Sequence, residues 1–163
     1  MQDYFYSLGD ALFKKLEGNE QLLLFFSGED SDFVRLNHNK IRQAGNVAQR
    51  TLSLDLIEGQ RHAEASVDLA GDNEQDIKQL VETLKILRQQ RVLLPEDPYL
   101  NFSTDINHSE YHHDNEVINS HEAVDQLIKA AAGMDLAGIF ANGIQYAGFA
   151  NSMGQRNWHS RAN

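Results

Sequence analysis

Histidines and carboxylates have the widest chemical range of the side chains here, and they gather in two places. His108, His112 and Glu116 stand at i, i+4 and i+8, with His113 beside them. Wound on a helix, they would align two nitrogens and one oxygen on one side, a donor set for a metal ion. The local sequence Asn-His-Ser-Glu-Tyr-His-His-Asp-Asn-Glu has no apolar stripe and few good helix formers, so a solvated acidic linker is the expected structure. His121-Glu122 begins as a zincin helix begins. Such a helix needs a second His one turn on, so that two imidazoles share a face while the Glu polarises bound water. Positions 125 and 126 are Asp and Gln, so the second imidazole is missing. Glu122 reads instead as a carboxylate at a helix N-terminus, where the helix dipole favours it. No catalytic residue and no metal ligand is assigned.

Other chemistries are excluded more quickly. There is no cysteine, so disulfides, thiolate catalysis and cysteine zinc sites are absent. Gly138, Gly143, Gly148 and Gly154 are not followed by the Lys-Ser/Thr of a phosphate loop and read as turn and close-packing residues. Ser152 has no His and Asp at a spacing that would make a triad. Arg35, Lys40, Arg42 and Arg50 are the only basic clustering in a chain of net charge −10, too few for a nucleic-acid surface. The longest apolar run, Leu22 to Phe26, cannot span a bilayer. The N-terminus lacks a basic n-region, so the expected location is the cytoplasm.

The elements that must position these groups follow from periodicity. Tyr4, Phe5, Leu8, Leu12, Phe13 and Leu16 predict an amphipathic helix over 2–17. Strands are expected at 21–27, around 33–36 and 41–43, at 51–57 and at 61–69, separated by turns too short for parallel crossovers. Gly28-Glu29-Asp30 reads as one of those turns, and so does Asn37-His38-Asn39-Lys40. Asp72-Asn73-Glu74 caps a helix whose stripe is Ile77, Leu80, Val81, Leu84 and Leu87, with Arg88 and Arg91 in its last turn. Both prolines, Pro95 and Pro98, fall just after it. Ser120 is the expected N-cap of a helix over 121–132. Asn142-Gly143 between two strand-like runs predicts a type I′ hairpin, and 156–160 a further strand. The fold class expected is α+β, a largely antiparallel sheet with covering helices in two subdomains: 1–94, then a linker at 95–120, then 121–163.

Charge sharpens this reading. Residues 1–71 carry 11 acidic and 7 basic side chains, 72–119 carry 10 and 4, and 120–163 carry 3 and 3. The neutral last third, which ends on a strand-like run, is expected to be the start of a second subdomain cut from a longer protein. Phe140, Tyr146, Phe149 and Trp158 are its interface candidates, to be covered by a missing C-terminal part or a second subunit.

Several stretches together resemble a known family. They are Ser31-Asp32-Phe33-Val34-Arg35 through Asn39-Lys40-Ile41-Arg42-Gln43, then Asp76, Leu94–Tyr99, Glu122, Asp135-Leu136-Ala137-Gly138, Asn142-Gly143 and Ala150-Asn151-Ser152-Met153-Gly154. In this order they resemble the N-terminal part of TldD/PmbA proteins, the TldD/TldE or "modulator of DNA gyrase" metallopeptidases, closest to a divergent TldD-related branch. The pattern departs from better-known members around 52–65. The resemblance implies a non-catalytic N-terminal domain of a longer zinc peptidase whose His-Glu-x-x-x-His site lies C-terminal to this region. It also implies a homodimer, or a heterodimer with a related protein, enclosing a peptide substrate. It implies no cofactor in this chain, zinc in competent full-length members, and no nucleic-acid or membrane partner. Two other readings stay open: a self-sufficient hydrolase using the His108–Glu116 cluster, and a non-enzymatic interaction or modulator module.

Overall fold

Leu52, Leu54 and Leu56 alternate with Thr51, Ser53 and Asp55, and the leucines lie fully inside, as a strand with one buried face requires. The structure is a computed structural model and describes residues 1–112 and 117–162. In chain order the elements are α1 (Gln2–Phe13), β1 (Gln21–Asn37), β2 (Lys40–Glu58), β3 (Arg61–Asp68), α2 (Asn73–Arg91), β4 (Ser109–Tyr111), α3 (Ser120–Ala130), β5 (Gly138–Asn151) and β6 (Arg156–Ala162). The strands form one sheet in the order β3-β2-β1-β5-β6-β4. β2 and β3 are antiparallel, with Thr51 opposite Asp68 and Glu58 opposite Arg61. β4 runs parallel to β6, with Ser109 opposite Asn157. The fold is α+β, and its sheet is largely antiparallel.

The chain forms two compact units, neither of them continuous in sequence. The first gathers Met1–Ser27, Arg50–Tyr111 and Tyr146–His159. Here α1 and α2 cover one face of the sheet, and Phe5, Leu8 and Leu12 of α1 join Leu80, Leu84 and Leu87 of α2 over the inward side chains of the strands. Phe5 stacks on Phe26 with ring centroids 5.3 Å apart, and Trp158 closes the same cluster at 6.2 Å from Phe5. Gly148 is needed beneath them, since a Cβ there would stand 2.6 Å from the Phe5 ring. Asp72 caps α2 by accepting from the Gln75 N–H at 2.8 Å. At its far end Arg88 and Arg91 both reach Glu20, and Arg91 also reaches Glu58.

The second unit gathers Gly28–Gln49, His112–Gln145 and Ser160–Asn163. Its core is small: Val34, Leu36 and Val124, with Ile128, Leu136 and Phe140 packed against them. Asn119 caps α3 by accepting from the N–H groups of His121 and Glu122. Asn39, in the left-handed region at φ 57°, donates its side-chain amide to the carbonyls of Ala131 and Met134 and accepts from the Leu136 N–H. One two-residue turn thereby fastens both the β1–β2 hairpin and the end of α3.

Several sequence expectations are corrected. Gly28-Glu29-Asp30 is no turn; β1 passes straight through it. Asn142-Gly143 is no hairpin, because β5 is continuous there. Gly143 is present because the neighbouring backbone leaves no room: a Cβ would lie 2.4 Å from the Ser31 Cα and from the Asp30 carbonyl oxygen. The turn expected at 151–155, ahead of the strand at 156–160, is present and joins β5 to β6. α1 stops at Phe13, and α3 runs over 120–130 with Asn119, not Ser120, as its cap. The edge of β6 is not bare over 157–159: Ser109–Tyr111, expected as linker, pairs with it.

Candidate functional site

In the first unit the helices cover one face of the sheet, and alternation sends every second side chain to the other. On that other face lie Leu23 and Phe25 of β1, Ser53, Asp55 and Ile57 of β2, His62, Glu64 and Ser66 of β3, Ala147 and Phe149 of β5, and Asn157 and His159 of β6. Leu23 and Ile57 are buried, and the rest leave the face partly open. The face has two chemically distinct halves. Phe25, 51% exposed, meets Phe149 at 4.9 Å between ring centroids. Tyr111, paired with His159 across β4 and β6, stacks on its imidazole at 4.9 Å. Phe25, Phe149, Tyr111 and His159 line a common hollow, an aromatic trough open to solvent.

The other half, on β2 and β3, is polar. Ser53 and Ser66 share a hydrogen bond of 2.7 Å, and the Thr51 hydroxyl donates to Asp68 at 2.9 Å. Asp55 stands directly opposite Glu64, and His62 lies on the same face two residues along. Its Nδ1 is 3.1 Å from the Asp55 carboxylate and 3.8 Å from Glu64, while its Nε2 lies 3.8 Å from Asp97. Burial pushes the Asp55 carboxyl above its ordinary range, with the charge of Glu64 adding to the shift and the His62 hydrogen bond and charge opposing it. The sequence carried a signal for this group: His62-x-Glu64 at a strand's period of two, across a short turn from Asp55.

Two further polar groups are structural. Asp76, wholly buried, accepts from the Tyr4 hydroxyl at 2.6 Å and from the Ala70 and Gly71 N–H groups at 2.8 and 2.9 Å. Burial and the hydrogen bond to Asp76 hold the Tyr4 phenol protonated far above its usual range. Glu20 is nearly enclosed; burial works to raise its pKa, but hydrogen bonds from Arg88 and the Glu17 N–H, with the charges of Arg88 and Arg91, outweigh it and hold the carboxyl below its usual range.

The residues singled out from the sequence are dispersed. His121 and Glu122 lie exposed in the first turn of α3, with Asp125 and Gln126 also exposed one turn on. The helix therefore offers one imidazole and does not fit the zinc of a peptidase centre. His108 sits beside the Arg156 backbone, its Nδ1 3.2 Å from that N–H. β4 follows in extended form, so His108 and His112 are not aligned on a helix. His113 and Glu116 lie outside the described residues. Of the four interface candidates, Phe149 reaches the open face; Phe140 packs in the second unit, and Tyr146 and Trp158 pack in the core of the first. Ser152 is structural, accepting from the Leu22 N–H at 3.1 Å. Arg35, Lys40 and Arg42 are exposed.

The fold is similar to that of three solved structures. The first, described as a modulator of a DNA gyrase from Thermotoga maritima, matches with a TM-score of 0.64 at 11% identity, over 97% of this chain and 37% of that one. TldE from Thermococcus kodakarensis matches with 0.59 at 15%, over 94% and 37%. A protein described as a modulator of DNA gyrase, from Bacteroides thetaiotaomicron, matches with 0.56 at 17%, over 98% and 38%. The chain thus spans little more than a third of the length of the structures it matches. No family model matches the sequence, and no curated protein does. The likeness expected from the ordered motifs is met at the level of the fold. Among the described residues no helix is long and apolar enough to cross a membrane.

Proposed function

We propose that this chain is the non-catalytic, N-terminal part of a TldD/TldE-type metallopeptidase, and that it helps enclose a peptide substrate and build the dimer. One observation carries the reading. The chain is used almost whole, 94–98%, in matching structures of which it fills only 37–38%. It therefore has the shape of a piece of those proteins. The chemistry of the chain agrees, since the imidazole of His121 has no second one a turn away and zinc has no peptidase centre to occupy there. In this reading the metal and the hydrolytic step belong to a part beyond the matched region. The residues here supply a rigid sheet whose uncovered aromatic half, Phe25, Phe149 and Tyr111, is available to a covering part or to substrate.

The test uses the purified chain and a separately produced catalytic part of a TldD/TldE-type protein. Alone, with or without zinc, the chain should leave fluorogenic unfolded peptides intact. Mixed with the catalytic part, it should co-elute and raise the rate of hydrolysis. Zinc-dependent cleavage by the chain alone, abolished by His108→Ala, would favour the self-sufficient hydrolase. Failure both to co-elute and to raise the rate would remove the peptidase reading.

A further inference from the structure

We infer that Asp55, His62 and Glu64 form a binding site for a divalent transition-metal ion on the open face of the first unit, with Asp97 orienting the imidazole. The inference stands on side-chain geometry alone and does not depend on the peptidase reading. Three ligand atoms about 2.0–2.1 Å from a common ion in tetrahedral array stand about 3.4 Å from one another. The His62 Nδ1 lies 3.1 Å from the Asp55 oxygen and 3.8 Å from the Glu64 oxygen, on either side of that spacing. All three ligand atoms lie within 4.8 Å of each other. Small side-chain rotations would bring them to an ion.

A hydrogen-bonded ion pair accounts for only part of this arrangement. Asp55 and Glu64 face each other across the strands, where like charges repel. His62 can offer a single Nδ1 proton to the two of them, and its other nitrogen faces Asp97. Even a fully charged imidazolium would leave three carboxylates around one cation. The adjoining Arg61 does not make up the difference, because its guanidinium lies against Glu96 and the Val92 carbonyl. A dication between Asp55 and Glu64 would neutralise the pair. It would use the neutral imidazole as a nitrogen ligand and leave the Nε2 proton facing Asp97, which at 3.8 Å would have to close to hydrogen-bond distance to fix the tautomer as an outer-shell carboxylate does. Asp55 and His62 hold 13% and 29% side-chain exposure, so two ligands are fixed by packing, while Glu64 at 68% is free to close on the ion. One nitrogen and two oxygens, with remaining positions open to water, suit Zn²⁺ or Mn²⁺ better than Mg²⁺, which accepts imidazole poorly.

The experiment is calorimetric titration of the chelator-treated chain with Zn²⁺, paired with ¹⁵N imidazole NMR. We expect one Zn²⁺ per chain and a large shift of the His62 Nδ1 resonance in the unmodified protein. Asp55→Asn and His62→Ala should weaken binding by at least tenfold, and Asp97→Asn by about tenfold. His112→Ala and His121→Ala should leave it unchanged. A His62 Nδ1 resonance indifferent to saturating Zn²⁺ would overturn the site without reliance on any variant. So would binding that is lost in His112→Ala or His121→Ala but kept in His62→Ala.

Discussion

Along β2 the two faces of the sheet are written by one chain in alternate letters. Leu52, Leu54 and Leu56 enter the core beneath α1 and α2; Thr51, Ser53 and Asp55, one residue out of step, meet the open side. The covered face is apolar and closes around Phe5, Phe26 and Trp158. The open face divides into an aromatic trough and a carboxylate–imidazole group. Stability and chemistry thus interleave at single-residue spacing, so neighbouring substitutions should differ in kind as well as in size.

The sharpest break of the comparison is Leu54→Ala, which opens a cavity on the covered face and should cost about 3 kcal/mol, whereas Ser53→Ala beside it should stay within about 0.5 kcal/mol. Urea denaturation of both variants measures the contrast, and equal losses would show that the open face is packed as well. Asp76→Ala should follow at about 2–3 kcal/mol, because it empties a wholly buried position and strips three hydrogen bonds from the half-buried Tyr4 hydroxyl and the Ala70 and Gly71 N–H groups. Tyr4→Phe, which removes a single hydrogen bond, should lose less than half of that.

Gly148→Ala should cost about 1–3 kcal/mol by pushing a methyl group into the Phe5 ring. Thermal melts, with near-ultraviolet circular dichroism of the Trp158 cluster, report the disturbance. A smaller effect is the pH dependence set by Glu20. Its folded-state pKa lies below the ordinary 4.5, so its contribution is full above that value and is lost as pH falls through the lowered one. Glu20→Gln should therefore lower stability at neutral pH and make the acid limb of the stability profile shallower, as chemical denaturation between pH 3 and 7 would show. Least affected should be Phe25→Ser on the open face, at or below about 1 kcal/mol. If that face meets a covering part, the same variant should instead weaken co-elution with it.

Local patterns made most of the first unit legible: the leucine alternation, the stripe of α2 and its Asp72 cap are all read from a few adjacent residues. What failed was whatever depended on distant neighbours. Asn142-Gly143 has the composition of a turn, yet Gly143 is there to let Ser31 approach, 112 positions away in the chain. Gly28-Glu29-Asp30 looked like punctuation because a strand's partners are invisible in its own sequence. β4, three residues long, was hidden in a proline-bounded stretch and exists only because β6 offers an edge. For the candidate site, the conspicuous histidines at 108, 112 and 121 drew attention by proximity in sequence. The group that assembles three donors at short range was spread over two strands at ordinary alternating positions.

The central placement of β5 bears on how the chain is made. β1 is complete once residue 37 has been synthesised, but its partner on one side, β5, ends at residue 151. At about 5–20 residues per second the interval is on the order of ten seconds. Throughout it, Leu22–Phe26 and the rest of that edge have unmet backbone hydrogen bonds, and the cavity awaiting Trp158 is open. Closure must then join segments more than a hundred residues apart, a slow class of search. A chain ending before residue 151 would therefore leave that edge of β1 without its full partner, an unpaired strand rather than a smaller domain.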